Sequence, residues 1–475
     1  MIDLLSRKAF VRSRAYMKKK GYSLHDYQEK SVRWMLDREI IKKTGGLLAD
    51  VPGAGKTIQA TSLLLGNLLK QTLIIVPGYL VQQWLNFLNE VMPKNSVQNF
   101  KKGTVIDKNA RVVLTSYGYV YTRRVSGFVP TSLHRKIWDR MILDEAHIIR
   151  NKGSKQSQGV FALKAKFKWG LTGTPLQNRK YDFNVLCELF GTEFLRRSYR
   201  DLGERLPRLT IQLYRIPFTD DEEDLYEFYS QPGIRGRVFK QRRVCIDSYL
   251  QTGTELTGTP TELIGCSGKL VKYSHKLSTK MVQLVTWLSE HPDECSLVFT
   301  HFRAEQVRAS KILTNFGYNV GCIKGGQSKK KRRNVLKQFG NSKLAKLLVK
   351  KICVSKKSPF LPDLIEDRIF SFLDNHPTVL IIQIRAGGLG LNLQQASRVY
   401  FLSNDYNPSM EDQAIARCYR MGQTKPVVVK KFIMYSQQTD LETVEERILD
   451  IQLKKRSIYV NVLGEPELGD NGIEQ

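Results

Sequence analysis

The stretch ADVPGAGKTIQA, residues 49–60, decides how the rest of the chain is read. It is built like a phosphate-binding loop of the pattern G-x-x-x-x-G-K-[ST], with one departure: Asp50 stands where the pattern has glycine. The physics of such a loop is a run of backbone N–H groups wrapped round phosphates at a helix N-terminus, joined by an ammonium. Gly53, Ala54 and Gly55 form the cradle, Lys56 has the reach for the β and γ phosphates, and Thr57 offers a hydroxyl to Mg²⁺. The position of Asp50 is further from the phosphates, so the missing glycine there costs less. An accident of composition remains the competing reading until other motifs are weighed.

Working outward, the loop sits inside an alternation of short apolar runs and amphipathic stretches. GGLLA (45–49), TLIIVP (72–77), ARVVLTSY (110–117), RMILDE (140–145) and KWGLTGT (168–174) read as strands, separated by helical segments such as KTIQATSLLLGNLLK. That pattern predicts a doubly wound parallel sheet. A second series starts at CSLVFTHF (295–302) and runs through YNVGCIKGG, TVLIIQI, RVYFLS and VVVKKFIMY. The expected fold is therefore α/β, two tandem lobes with a cleft between them. The boundaries are placed at 1–190 for the first lobe, 191–275 for a linker with surface protrusions, 276–460 for the second lobe and 461–475 for a tail. A lysine-rich interruption near 340–375 reads as an insertion in the second lobe.

Composition limits the function. The chain has 475 residues, beyond the size at which one core stops growing, so two domains are expected. It carries 75 Lys and Arg against 45 Asp and Glu, a formal charge of +30, which attracts polyanions. Surface solvation alone is the bland reading of that excess. No apolar stretch is long enough for a membrane span, and the N-terminal sequence lacks the plan of a secretory signal, so a soluble intracellular protein is expected. The seven cysteines are scattered and never in C-x-x-C spacing; they read as reduced, mostly buried thiols. The histidines have no partners at metal spacing, and Trp34, Trp84, Trp138 and Trp169 read as core packing. The acidic TDDEEDLYEFYS (219–230) reads as a solvated helix start.

MILDEAH places Asp144 and Glu145 at the end of an apolar strand downstream of the loop. One carboxylate there is suited to hold magnesium, and its neighbour to accept a proton from the attacking water. With these residues in place the chain resembles a family. LHDYQEKSVRWML (24–36), ADVPGAGKT, LIIVPGYLVQQW (73–84), VVLTSY (112–117), LDEAH (143–147) and LTGTPLQN (171–178) follow the order of the Swi/Snf-type, duplex-DNA-translocating ATPases of the second helicase superfamily. SLVFTHF (296–302), IKGGQSKKKRR (323–333), IRAGGLGLNLQQASRVYFLSNDYNP (384–408) and EDQAIARCYRMGQTKPVVVKKFI (411–433) are similar to its later motifs.

The resemblance implies tandem RecA-like lobes and a Mg²⁺-dependent, DNA-stimulated ATPase that translocates on duplex DNA without obligatory strand separation. A strand-separating helicase and a non-enzymatic nucleic-acid-binding protein are the alternatives. Asp50 is then a family feature of the ATP site, and the real departures are Val51 and Pro52, where an acidic residue and methionine are usual. Gln28 resembles the glutamine that reads adenine. His147 and Thr172 look like coupling residues, and Gly390 and Gln413 are expected to line the ATP cleft. Arg417 and Arg420, three apart and so on one face of an expected helix, resemble arginine fingers.

Expected phosphate-backbone contacts to double-stranded DNA are Pro77, Gly78, Ser116, Tyr117, Lys324, Gly325, Arg385 and Ala386. The run SKKKRR reads as DNA contact, solvated helix start or nuclear import signal. The expected protein is a monomeric, compact motor acting on DNA and DNA-bound proteins, in the nucleus or a viral replication or virion compartment, since short forms of this kind resemble those encoded by large DNA viruses.

Overall fold

Residues 72–76, TLIIV, are buried at every position, as a strand must be when helices cover both faces of its sheet. The computed structural model describes residues 2–124, 127–177, 179–202, 206–339, 378–387, 391–438, 441–464 and 473–474. The chain divides into two compact units, residues 1–206 with 455–468 and residues 207–454 with 469–475.

In the first unit the strands are β1 (Gly46–Leu48), β2 (Thr72–Val76), β3 (Val97–Asn99), β4 (Val112–Ser116), a small hairpin of β5 (Thr122–Arg124) and β6 (Gly127–Val129), β7 (Ile137–Asp144), β8 (Lys164–Leu171) and β9 (Phe194–Leu195). All but the hairpin form one parallel sheet in the order β3-β4-β2-β7-β8-β1-β9. Side chains alternate between its faces. Ile74 and Val76 pack with Phe10, Val32, Leu36, Leu63, Trp84 and Leu88 from α1 (Ile2–Lys19), α2 (Asp26–Asp37), α3 (Lys56–Gly66) and α4 (Val81–Val91). Leu73 and Ile75 pack with Val160, Phe183 and Leu186 from α5 (Lys155–Phe161) and α6 (Lys180–Phe190), and with Tyr459.

A buried charge network ties this unit together. Glu39 accepts from Arg140 Nε at 2.6 Å, Trp169 Nε1 at 2.8 Å and Asn67 Nδ2 at 2.7 Å, and Arg140 Nη2 also reaches it.

The second unit contains β10 (Leu209–Pro217), a hairpin of β11 (Glu262–Ile264) and β12 (Leu270–Lys272), β13 (Cys295–Thr300), β14 (Val320–Ile323), β15 (Val379–Gln383), β16 (Ala396–Phe401), β17 (Val427–Tyr435) and the two-residue β18 (Ile473–Glu474). Its parallel sheet runs β14-β15-β13-β16-β17-β10-β18. The helices are α7 (Asp220–Phe228), α8 (Arg237–Ile246), α9 (Tyr249–Thr252), α10 (Thr279–Glu290), α11 (Arg303–Asn315), α12 (Lys329–Gln338), α13 (Ile384–Gly387), α14 (Pro408–Ile415) and α15 (Val444–Leu463). Two α/β lobes, each a parallel sheet flanked by helices, are thus present. No helix among the described residues is long and apolar enough to cross a membrane.

The domain boundaries differ from expectation. The segment 191–275 is not a linker: β9 completes the first sheet, and β10 pairs with β17 over nine residues, Leu209 with Val427 through Pro217 with Tyr435. Tyr226, Val244 and Ile246 from α7 and α8 lie in the second core. Apolar side chains such as Ile211, Ile216, Val244 and Ile246 are buried within this otherwise basic segment. Residues 455–460, expected in the second lobe, group with the first unit as part of 455–468, and residues 469–475 return to the second.

The acidic start of α7 is only half solvated: Glu222 and Glu223 are buried, Glu222 accepting from Thr279 N at 3.0 Å. The insertion near 340–375 and most of the tail lie outside the described residues.

Candidate active site

Where β1 ends, the chain turns through residues 49–55 and enters α3 at Lys56. Gly53 (φ +86°) and Gly55 (φ +79°) take left-handed conformations that glycine adopts without penalty. Lys56 Nζ donates to the carbonyl oxygens of Asp50 (2.6 Å) and Val51 (3.1 Å). From α2, Tyr27 Oη and Gln28 Nε2 donate to Ala54 O at 3.0 and 3.1 Å, and Gln28 Oε1 accepts from His25 N at 3.0 Å. Gln28, 5% exposed, therefore lies directly against the loop.

The side chain of Asp50 is fully buried, facing Arg197 Nη1 at 3.2 Å and Ser31 Oγ at 3.5 Å, and burial raises its pKa against the pull of Arg197 and Lys56. It anchors the loop from behind. The departures at Val51 and Pro52 are met by the same segment: Val51 N donates to Arg197 O at 3.1 Å, and Tyr199 Oη to Pro52 O at 2.9 Å. Arg196 Nη1 donates to Ala49 O at 3.1 Å, and its charge acts on Lys56.

Strand β7 delivers the carboxylates. Asp144 Oδ1 accepts from Glu145 N at 3.0 Å, and Oδ2 accepts from Trp84 Nε1 at 2.7 Å. Burial, and then the charge of Glu145, push the Asp144 carboxyl up to about 7. Glu145 itself sits at φ +51°, a left-handed conformation that is costly for a residue with a Cβ and that clusters at functional sites. Lys56 lies among Glu145, Asp50 and Asp144, whose charges oppose the lowering of its pKa by burial.

His147 Nδ1 is 3.1 Å from Thr172 Oγ1 and 3.4 Å from Glu145 Oε2. Burial, helped by the cations Arg150 and Lys56, brings His147 down to about 3, so its imidazole is neutral at physiological pH. The structure thus brings together Lys56, Asp144, Glu145, His147 and Thr172, with Thr57 beside Lys56 on the first turn of α3. The donor set suits magnesium. Asp144 and the Thr57 hydroxyl are hard oxygen ligands, and the mutual repulsion of Asp144 and Glu145 is the kind a divalent cation relieves.

In the second unit Arg417 and Arg420 are half-buried and lie beyond the end of α14, which stops at Ile415, in successive turns rather than on one helix face. The turns are fixed by Gln423, whose amide donates to the carbonyls of Gln394 (3.0 Å), Ala396 (2.9 Å) and Cys418 (3.2 Å), and by Leu393 N donating to Arg417 O at 2.9 Å. Three carbonyl acceptors outweigh the helical propensity of ARCYRM. Arg417 Nε is buried with no hydrogen-bond partner among the described residues. Gln413 is buried on α14, and Gly390 lies outside the described residues.

Of the expected DNA contacts, Gly78 and Gly325 are exposed and Lys324 is half-buried, each on a turn following a strand, and Arg385 is exposed in the short helix α13 that follows β15, with Ala386 next to it. Pro77 and Ser116 are buried. Tyr117 is corrected outright: it is 4% exposed and donates its hydroxyl to Asp144 O at 2.9 Å. SKKKRR begins α12, with Ser328 Oγ capping Lys331 N.

Trp84, Arg197 and Gln423 belong to the site without any motif that marks them, and Tyr117, expected to meet DNA, meets Asp144 instead. A buried indole N–H or phenol must find a partner, so Trp84 beside an exposed PGY turn carried a readable, though non-specific, signal.

The sequence matches the SNF2-related domain over residues 27–195 and the helicase conserved C-terminal domain over residues 279–353 and 364–422. It is 23% identical to the Helicase-like transcription factor of Homo sapiens, over 83% of this chain and 51% of that protein. It is 27% identical to the putative ATP-dependent helicase/translocase YwqA of Bacillus subtilis (91% and 48%). Against the SWI/SNF-related matrix-associated actin-dependent regulator of chromatin subfamily A member 1 of Mus musculus it is 26% identical (93% and 44%). The chain spans about half the length of the curated relatives it matches. Among solved structures, the Sulfolobus solfataricus SWI2/SNF2 ATPase core in complex with dsDNA aligns over 93% of this chain and 94% of that one, at 22% identity and a TM-score of 0.37.

Proposed function

The chain belongs to the Swi/Snf-type ATPases of the second helicase superfamily, and from that premise we propose that it hydrolyses ATP on binding duplex DNA and translocates along it without obligatory strand separation. The observation that carries the ATPase is the convergence of Lys56, Asp144 and Glu145 beside a left-handed glycine loop at the start of α3. The backbone at the start of α3 offers N–H groups at a helix N-terminus, where the dipole favours the negative charge of phosphates. Lys56 adds a full positive charge. Asp144 and Thr57 would hold magnesium, which when bound would supply positive charge to offset that of the phosphates. Glu145 accepts the proton of the attacking water, and its strained backbone fixes where that carboxylate points. His147, neutral and joined to Thr172, relays the state of the site to the LTGT turn without taking up charge.

Gln28 selects adenine from its place against the loop. Arg417 and Arg420 serve as the cations that stabilise the transferring phosphoryl group, a role that the unspent Nε donor of Arg417 supports. Duplex DNA is gripped through its phosphates by the segments at Gly78, Lys324, Gly325 and Arg385, aided by the net charge of +30, so binding is sequence-independent and weakens with salt.

The test is ATP turnover measured alone, with duplex and with single strands, beside a strand-displacement assay. Stimulation by duplex without displacement is the expected result. Displacement of strands points to a helicase, and absence of turnover refutes the enzyme. Glu145→Gln is expected to keep ATP binding and stop turnover.

A further inference from the structure

Strands β4, β2 and β7 are adjacent and parallel, so the turns after them emerge on one edge of the first sheet, where ligands of such sheets bind. The turn after β2 exposes Gly78 and Tyr79, and the turn after β4 exposes Gly118 and Tyr119. The turn after β7 carries Asp144 and Glu145.

Each exposed turn sends one buried side chain to Asp144. Trp84, in the first turn of α4 and 1% exposed, donates its indole N–H to the carboxylate at 2.7 Å. Tyr117 donates its hydroxyl to the main-chain oxygen of the same residue at 2.9 Å.

We propose that Trp84 and Tyr117 are positioning residues that couple the two exposed turns to Asp144, so that a duplex seated on the turns sets the orientation of the carboxylates and hence the turnover rate. This inference rests on the ATPase reading given above. Its physical basis is stiffness. Both side chains are aromatic with few rotatable bonds, both are packed in the core, and both hydrogen bonds are the partners of buried groups that would otherwise go unsatisfied. A shift of either turn cannot be absorbed locally without breaking one of them. Neither residue touches ATP or DNA in this scheme; each acts through Asp144.

The experiment uses the full chain with Trp84→Phe and Tyr117→Phe, which delete the donors; Tyr117→Phe keeps its ring, while Trp84→Phe keeps an aromatic side chain but loses the second ring of the indole and the core volume it fills. ATP turnover is measured without DNA and at saturating duplex, and the duplex concentration giving half-maximal stimulation is recorded. A coupling of ordinary size predicts that the ratio of stimulated to basal rate falls about tenfold in Trp84→Phe and severalfold in Tyr117→Phe, with the half-maximal concentration unchanged.

Proportional loss of both rates, leaving the ratio intact, overturns the coupling, because it is what merely holding Asp144 in place would give. Full retention of both rates overturns it as well. Should Trp84→Phe fail to fold, Tyr117→Phe, which removes a single oxygen, decides by the same ratio. A native chain that shows no duplex stimulation refutes the function proposed above, and the coupling with it. Stimulation in the native chain with unchanged ratios in the variants refutes the coupling alone.

Discussion

Replacing Gly55 by alanine probes the phosphate loop most sharply. Gly55 caps α3 at φ +79°, and a Cβ there meets Gln28 Nε2 at 2.5 Å and Ile58 Cγ2 at 3.2 Å. The left-handed conformation costs an alanine roughly 1–2 kcal/mol. Pushing the Gln28 amide aside sacrifices its 3.1 Å bond to Ala54 O, worth about 0.5–1.5 kcal/mol. The sum, about 1.5–3.5 kcal/mol, lowers the melting temperature of a unit of this size by about 3–14 °C.

Gly21→Ala is the matched control: φ is +84°, it lies in the same unit, and no heavy atom lies within 4 Å of its Cβ. It carries the conformational cost alone. The assay is thermal unfolding of both variants in parallel, joined to KM for ATP and GTP. Gly55→Ala is expected to melt below Gly21→Ala, and it alone is expected to lose preference for ATP, since only it moves the residue proposed to read adenine. Equal melting temperatures with an unchanged ATP to GTP ratio would refute the contact between Gln28 and the loop as the basis of selectivity.

Other consequences follow from groups already described. Glu39→Ala strands the buried Arg140 guanidinium, so chemical denaturation should show a loss of about 3–5 kcal/mol; a loss under about 1 kcal/mol would mean the network is dispensable. His147 has a folded pKa of about 3, below its unfolded value of 6.5, so the unfolded chain binds the extra proton as pH falls through that window. Its contribution is present above about pH 6.5 and declines toward pH 3, amounting to about 2–3 kcal/mol lost by about pH 4.5; His147→Asn should flatten that part of the stability profile. Gln423→Leu leaves three carbonyls without their donor, and turnover is expected to fall at least tenfold with little change in KM for ATP, because it loosens the turns that carry the two arginines. Raised salt should weaken duplex-stimulated turnover steeply and basal turnover little.

What the sequence by itself determined was everything that depends on near neighbours. Unbroken apolar runs such as TLIIV and SLVF specify strands buried on both faces, and the loop glycines specify a backbone that turns left-handed before a helix. Motif order then placed Lys56, Asp144, Glu145, His147 and Thr172 in one reading, and the fold brings them together. Tertiary structure alone decided which distant group each buried polar atom would meet. Trp84 reaches Asp144 across 60 positions, and Arg197 reaches Asp50 across 147. It also moved LTIQLYRIP from an expected linker into the second sheet, through pairing with β17, and drew ARCYRM out of a helix onto the amide of Gln423. The reason is the range of the forces involved. Backbone preference and burial periodicity are written within a few residues, whereas the partner of a buried donor is fixed only when packing brings remote segments within hydrogen-bond reach.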